Sequence, residues 1–307
     1  MGGNFFVMQQ GDDNVLNAIP VRGTNFPNWA DLLLLLVIFF IGAAAATLIT
    51  PLFIDLKEIT QGATAVELAS AKGLYLFISY TFQMLIALGI TLAYSKLRGY
   101  RGRMVRFSAK GLNPLLNLWA LLMLLAMNLL LAPLFKIMDF SQIEAFDPGR
   151  GIWALLSTVV MAPVLEEVMC RGVILEPLRS RYGAVVAWLV SSLFFGLIHI
   201  HPVMVINAIF IGMLLAYLYL RAESLWPCII LHMFNNGVSL LMLWTTVPDE
   251  NGSQSLSELN FLDMMPPALY IALYVCALVF VLISGVLMWY NLWQWHSADR
   301  KKRLEEK

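Results

Sequence analysis

Apolar residues gather in eight long runs that are separated by short polar connections. The runs cover residues 32–53, 74–94, 115–135, 152–175, 184–200, 202–220, 225–244 and 268–293. Most are close to the ~20 residues with which a helix crosses a hydrocarbon core of ~30 Å. None shows the strict alternation of a barrel strand, so helices are the structure that satisfies the backbone in lipid. The pattern therefore predicts an all-α, polytopic membrane helical bundle of about eight transmembrane helices.

Composition points to the same class of protein. The 307 residues are 60% hydrophobic and 13% charged, whereas about a quarter of the residues in a soluble domain are charged. The formal net charge is zero, so nothing in the sequence indicates a nucleic-acid partner. Cys170, Cys228 and Cys276 all lie within apolar runs. Their positions indicate buried thiols rather than a disulfide framework.

The charges between the runs predict the orientation of the chain. Basic residues crowd the second, fourth and sixth connections and follow the last run: Lys96, Arg98, Arg101, Arg103, Arg106, Lys110, Arg179, Arg181, Arg221, Arg300, Lys301, Lys302 and Arg303. Acidic residues dominate the third and seventh connections: Asp139, Glu144, Asp147, Asp249, Glu250, Glu258 and Asp263. Because basic connections are retained in the cytoplasm, the even connections and both termini are expected there.

This orientation divides the chain into three parts. Residues 1–28 are predicted to be a cytoplasmic N-terminal segment, residues 29–296 an eight-helix membrane domain and residues 297–307 a charged cytoplasmic tail. The basic second connection is predicted to lie on the membrane surface, where anionic lipid attracts it. A role in steering substrate is the alternative for this connection.

Three ionisable residues interrupt the fourth run. Glu166, Glu167 and Arg171 would lie at membrane depth, where such groups are costly and usually functional. Glu167 and Arg171 are four residues apart, so they share a helix face and can pair. Glu166 points about 100° away around the helix. It is therefore free to face a cavity and act as a general base.

Two further pairs of residues have helical spacing. Phe195 precedes His199 by four residues in the fifth run, and His232 precedes Asn236 by four residues in the seventh. Three helices could thus converge on one polar pocket. A carboxylate, two imidazoles and an amide can polarise a water molecule and stabilise the oxyanion that forms when it attacks a peptide carbonyl.

The three motifs resemble those of a known membrane-protein family. In chain order they are Glu166-Glu167-x-x-x-Arg171, Phe195-x-x-x-His199 and His232-x-x-x-Asn236. This set is similar to that of the CAAX-protease and bacteriocin-processing (CPBP) family, which includes the type II CAAX prenyl endopeptidases and the abortive-infection proteins. The resemblance covers roughly residues 152–244, which would form the catalytic core.

The resemblance implies an intramembrane endopeptidase that activates water with a glutamate. It makes Glu166 the general base, His199 a residue that holds or activates the water, and His232 with Asn236 the groups that stabilise the oxyanion. Supporting roles fall to Glu167, Arg171 and Phe195. The implied partners are a peptide or membrane-protein substrate and membrane lipids, and the expected location is the bacterial cytoplasmic membrane.

Several alternatives stay open on the sequence. Glu166, His199 and His232 could together ligate a zinc ion. A ligating Glu166 could not also be the free base, however, so no cofactor is expected. A scaffold or bacteriocin-immunity protein could use the same pocket without catalysis, and a solute transporter would also gather charges in central helices.

The depth of His199 conflicts with this pocket. His199 lies about 22 Å along a helix that begins at Ala184, whereas Glu166 and His232 are expected nearer the cytoplasmic side. Three explanations are available: the fourth helix begins later, the segment at residues 176–182 enters the membrane, or the fifth helix is strongly tilted.

Overall fold

The computed structural model describes residues 26–54, 63–135, 148–245 and 265–305, and these residues form eight main helices. They are α1 (Trp29–Ile49), α2 (Ala65–Leu97), α3 (Pro114–Phe135), α4 (Gly151–Tyr182), α5 (Ala184–Leu197), α6 (Pro202–Ala222), α7 (Leu225–Thr245) and α8 (Pro267–Glu305). The described part of the chain contains no strand. The protein is an all-α, multi-pass integral membrane protein, as predicted.

Seven of these helices are long and apolar enough to cross a membrane. The exception is α5, which has 14 residues and is therefore only about 21 Å long. The predicted fifth span was too long at its end, because residues 198–201 leave the helix. Ile200 has a positive φ of 64°, and His201 is extended before Pro202, which is the conformation that a following proline favours.

The connections that were predicted to share one side of the membrane meet at one end of the bundle. Asp31, at the start of α1, lies 3.2 Å from Arg98 in the second connection. Arg179, at the end of α4, lies 3.6 Å from Glu223 in the sixth connection and 3.4 Å from Asp299 in α8. These contacts fit an alternation of eight passes. The same contacts would form whether this end of the bundle faced the cytoplasm or the opposite side of the membrane.

At the opposite end of the bundle, the third connection contacts the end of α7. The Arg150 guanidinium donates to the Trp244 carbonyl over 2.9 Å, and the Trp244 indole donates to the Gly149 carbonyl over 3.0 Å. The acidic residues predicted for the third and seventh connections lie outside the described residues, as do residues 1–25 of the predicted N-terminal segment. The predicted tail at residues 297–307 continues α8 as helix through Glu305.

Burial separates central helices from lipid-facing ones. In α6, 56% of the most apolar stretch is buried, whereas in α8 the value is 17%. The central helix α6 packs against α5, α7 and α3. Cys170 and Cys228 are buried, as predicted, but Cys276 is exposed because it lies on α8. The three motifs belong to α4, α5 and α7, which surround or adjoin this central helix.

The basic second connection is docked on the helical bundle. The Arg106 guanidinium donates to Glu176 of α4 over 3.1 Å, and the Tyr219 hydroxyl of α6 donates to the same carboxylate over 2.6 Å. Glu176 is only 4% exposed. Arg101 and Arg103 remain exposed and are the residues available to a lipid surface. The connection therefore ties α4 to α6 as well as presenting positive charge.

Replacing Arg106 with leucine is expected to destabilise the protein by about 2 kcal/mol, because it removes the cation from a buried carboxylate. Thermal unfolding in detergent measures the effect. Arg101→Leu is the matched control, since the exposed Arg101 side chain lies in the same connection. Equal unfolding temperatures for the two variants would show that the Arg106 contact contributes nothing to stability.

Candidate active site

The helix α4 carries the paired glutamates between two π-helical segments. Residues Leu156–Met161 and Val168–Leu175 are π-helical, and the α-helical segment Ala162–Glu167 lies between them. Pro163 contributes to this irregularity because it has no backbone N–H to donate within the helix. Such π segments are frequent at functional sites. Here they flank Glu166 and Glu167 on both sides.

The helical hairpin of α4 and α5 removes the conflict over depth. The segment at residues 176–182 continues α4 as helix, and the turn to α5 is at Gly183, whose φ of 90° suits glycine. Glu166 lies 17 residues before Gly183 and His199 lies 16 residues after it. At about 1.5 Å per residue, both are roughly 25 Å from the turn. The helical segment at residues 176–182 thus gives Glu166 and His199 similar distances from the turn.

Glu167 and Arg171 form the buried pair that their spacing predicted. The Arg171 guanidinium donates to Glu167 Oε1 over 3.0 Å, and both side chains are 0% exposed. Arg171 also donates to the Gly212 carbonyl of α6 over 3.0 Å and lies 4.6 Å from the centre of the Phe195 ring. The guanidinium thus joins α4 to α5 and α6 at the depth of the glutamates.

His232 reaches both glutamates from α7. Its Nδ1 lies 3.0 Å from Glu167 Oε1, and its Nε2 lies 3.7 Å from Glu166 Oε2. His232 is 3% exposed. Because a carboxylate only accepts hydrogen bonds, the Nδ1 of His232 is the donor to Glu167. This contact holds the other ring nitrogen towards Glu166.

Glu166 has one held oxygen and one unpartnered oxygen. The Tyr80 hydroxyl of α2 donates to Glu166 Oε1. Glu166 Oε2 is buried and has no hydrogen-bond partner in the structure, and the whole residue is 6% exposed. The separation of 3.7 Å from His232 Nε2 is too long for a direct hydrogen bond.

His199 joins the group through Phe195. Its Nδ1 lies 2.8 Å from the Phe195 carbonyl oxygen, which can only accept, so the neutral ring carries its hydrogen on Nδ1. Nε2 is then left as an acceptor. The Phe195 ring packs against His199 and His232, with centroid distances of 5.1 Å and 5.4 Å. Phe195 is therefore the aromatic wall between the two imidazoles.

Asn236 lies one turn beyond His232 and contacts α4. Its Nδ2 donates to the Thr158 carbonyl over 3.0 Å, and its Oδ1 accepts from Asn235 over 3.3 Å. Residue spacing did not include Asn235 in the site, yet its side chain adjoins it. An amide nitrogen carries two hydrogens, so Asn236 retains one donor beyond the bond to Thr158.

The sequence reasoning missed Tyr80 altogether. Its contact with Glu166 spans 86 positions of the chain, and the second run contains no charged residue near it that would have marked a site. Only the packing of α2 against α4 brings the phenol to the carboxylate. A tyrosine in the middle of an apolar run was the only available signal.

The proposed zinc ligands do not form a metal cluster in this arrangement. Across the described ranges, no group of three His, Cys, Asp or Glu side chains is close enough to hold a metal ion. Glu166 and His232 face each other, but Phe195 packs against both imidazoles. Three protein ligands plus a water is the usual catalytic zinc site, and the residues present do not fit it.

Comparison with known proteins shows that the segment carrying this pocket is similar to a family of endopeptidases. Residues 148–238 match the family model described as Type II CAAX prenyl endopeptidase Rce1-like. The Rce1-like segment contains Glu166, His199, His232 and Asn236 but excludes Tyr80. It agrees with the CPBP resemblance of the sequence motifs.

One curated relative matches a stretch of similar length. The Bacillus subtilis (strain 168) protein named "Putative membrane peptidase YdiL" is 27% identical over 88 residues, which are 29% of this chain and 36% of that protein. The match thus spans little more than a third of the relative. No solved structure is significantly similar to the chain.

Proposed function

We propose that this protein is an intramembrane endopeptidase that hydrolyses a peptide bond with water activated by Glu166. The observation that carries the proposal is the state of the Glu166 carboxylate. It is buried, one oxygen is held by Tyr80, and the unpartnered oxygen faces His232 Nε2 at 3.7 Å. This carboxylate lies inside the Rce1-like segment.

The attacking water would lie beside Glu166 Oε2 and His232 Nε2, within hydrogen-bond distance of the carboxylate. In the first step Glu166 Oε2 takes a proton from the water, and the oxygen of the water forms a bond to the peptide carbonyl carbon. His199 Nε2, which is free to accept, helps to hold the water. The proton on Glu166 then passes to the leaving amine as the peptide bond breaks.

The developing oxyanion needs hydrogen-bond donors in a site from which water is excluded. In its protonated form His232 donates from Nδ1 to Glu167 and from Nε2 to the oxyanion. Asn236 supplies its second amide hydrogen. Glu167, fixed by Arg171 and itself fully buried, orients the imidazole and balances its charge.

We expect Tyr80→Phe to lower kcat about tenfold with little change in KM, because it removes one hydrogen bond to the charged base and leaves the ring in place. Steady-state kinetics of the purified variant measure the effect. Tyr75→Phe on the same helix is the control. An unchanged kcat in Tyr80→Phe would mean that the phenol does not assist Glu166.

The substrate would be a peptide or protein segment that enters from the membrane. A prenylated CAAX peptide, a leader peptide and a segment of a membrane protein are the candidate classes. We place the protein in the bacterial cytoplasmic membrane with both ends of the chain in the cytoplasm, since the end of the bundle that gathers Arg98, Arg106 and Arg179 carries the charge retained there.

Cleavage by the purified protein in lipid vesicles tests the function. The probes are two internally quenched peptides, one prenylated with a C-terminal Cys-aliphatic-aliphatic-X sequence and one with an apolar leader segment. We expect at least one of the two peptides to be cleaved. This cleavage should continue when the zinc chelator 1,10-phenanthroline is added. Loss of cleavage with the chelator and recovery with Zn²⁺ would instead assign a zinc mechanism. Binding of a peptide without cleavage would favour a scaffold protein. Uptake of a solute by the vesicles would favour a transporter.

A further inference from the structure

We infer that Asn128 of α3 and Asn235 of α7 are positioning residues that fix the direction of the Asn236 amide. This inference rests on the proposed function of Asn236. The Asn128 Nδ2 donates to Asn235 Oδ1 over 3.0 Å, and the Asn235 Nδ2 donates to Asn236 Oδ1 over 3.3 Å. The Asn236 Nδ2 donates to the Thr158 carbonyl over 3.0 Å. We call these three linked amides the amide chain.

The carbonyl that ends the amide chain has no π-helical donor, because the nitrogen five residues later belongs to a proline. Thr158 lies in the first π segment of α4, where the Ala162 N–H donates to the Ser157 carbonyl. The next backbone nitrogen belongs to Pro163, which has no hydrogen. The Thr158 carbonyl is thus released by Pro163. Asn236 donates to it from another helix.

Only one direction of the amide chain is compatible with this carbonyl. A carbonyl oxygen only accepts, so the Nδ2 of Asn236 must face Thr158 and its Oδ1 must face Asn235. Asn235 is then obliged to present its Nδ2 to Asn236 and its own Oδ1 to Asn128. Each amide therefore has one orientation that satisfies both neighbours, and the orientation begins in α4 and ends in α3.

The direction matters because Asn236 is a donor in the proposed reaction. With its Nδ2 at Thr158, the second amide hydrogen is on the same side of the side chain and is available to an oxyanion. A reversed amide would place Oδ1 there, against the Thr158 carbonyl and against any developing negative charge. Asn128 acts through two other residues, so its role is positioning rather than catalytic.

The test uses Asn128→Asp and Asn128→Leu, measured on a quenched peptide that spans a cleavage junction found to depend on Glu166. The ionised carboxylate of Asn128→Asp cannot donate, so Asn235 must turn its Nδ2 towards it and the reversal passes to Asn236. We expect kcat to fall more than tenfold with KM within twofold of wild type. Asn128→Leu removes one bond without forcing reversal, so its kcat should fall less than threefold.

The pH dependence separates this role from general damage to the fold. The new carboxyl group of Asn128→Asp donates again once it is protonated, so the ratio of the kcat of this variant to that of wild type should rise as the pH is lowered. Asn117→Asp, on the same helix but beside an apolar groove, controls for a new carboxylate in α3 and should show a constant ratio. Unfolding temperatures of all variants are measured alongside.

Two outcomes would overturn the inference. The first is an equal loss of kcat in Asn128→Asp and Asn128→Leu, and the second is a ratio for Asn128→Asp that does not change with pH. Asn236→Ala distinguishes failure of the amide chain from failure of the proposed function. If Asn236→Ala retains full kcat, the oxyanion role itself is wrong. If Asn236→Ala loses activity while Asn128→Asp does not, only the positioning role of Asn128 and Asn235 is wrong.

Discussion

Peptide cleavage by Glu166→Gln is expected to be lower than that of wild type by a factor of about 10²–10⁴, the range of general-base catalysis. Glutamine keeps the size of the side chain and can accept the hydrogen bond from Tyr80, but it cannot take a proton from water. Unfolding temperature and substrate affinity should change little. The measurement is the initial rate of cleavage in vesicles at saturating peptide.

Glu305→Gln is the matched control for this variant, because Glu305 is exposed near the end of α8 and should retain full activity. Glu166→Asp is a second informative variant. It keeps the charge but withdraws the carboxylate, so we expect a smaller loss than in Glu166→Gln. Full activity in Glu166→Gln would contradict the assignment of the general base.

Arg171→Met is expected to destabilise the protein by about 3–5 kcal/mol, because it leaves the Glu167 carboxylate buried without its cation. Both side chains are 0% exposed, and the variant also loses the bond to the Gly212 carbonyl. We expect a much lower unfolding temperature in detergent and a reduced yield of folded protein.

The double variant Glu167→Gln with Arg171→Met removes both charges, so it should recover more than half of the lost stability. Arg300→Met, at an exposed position of α8, should leave the unfolding temperature unchanged. If Arg171→Met is as stable as Arg300→Met, the pair does not hold α4 against α6.

The sequence predicted contacts that a single helix determines. Glu167 and Arg171 are one turn apart, so regular helix geometry sufficed to pair them. The same geometry separated Glu166 from that pair. The apolar runs located every described helix, because a lipid-spanning helix must be apolar over most of its length.

Contacts between different helices could not be predicted from the spacing of residues within one helix. The bonds of His232 to Glu167 and of Tyr80 to Glu166 depend on how α7 and α2 pack against α4, and residue spacing within a run carries no information on packing angles. The fourth helix was predicted to end at residue 175 because polar residues follow. It continues to Tyr182, where Glu176 and Arg179 are paired rather than solvated.

The central claim is tested most directly by mass spectrometry of peptides released from membranes in water enriched in ¹⁸O. Membranes with the wild-type protein and with Glu166→Gln are compared. The account predicts peptides that appear only with the wild type and carry ¹⁸O in their new C-terminal carboxylate, because the water activated by Glu166 becomes part of the product. Identical peptides from both membranes would contradict it.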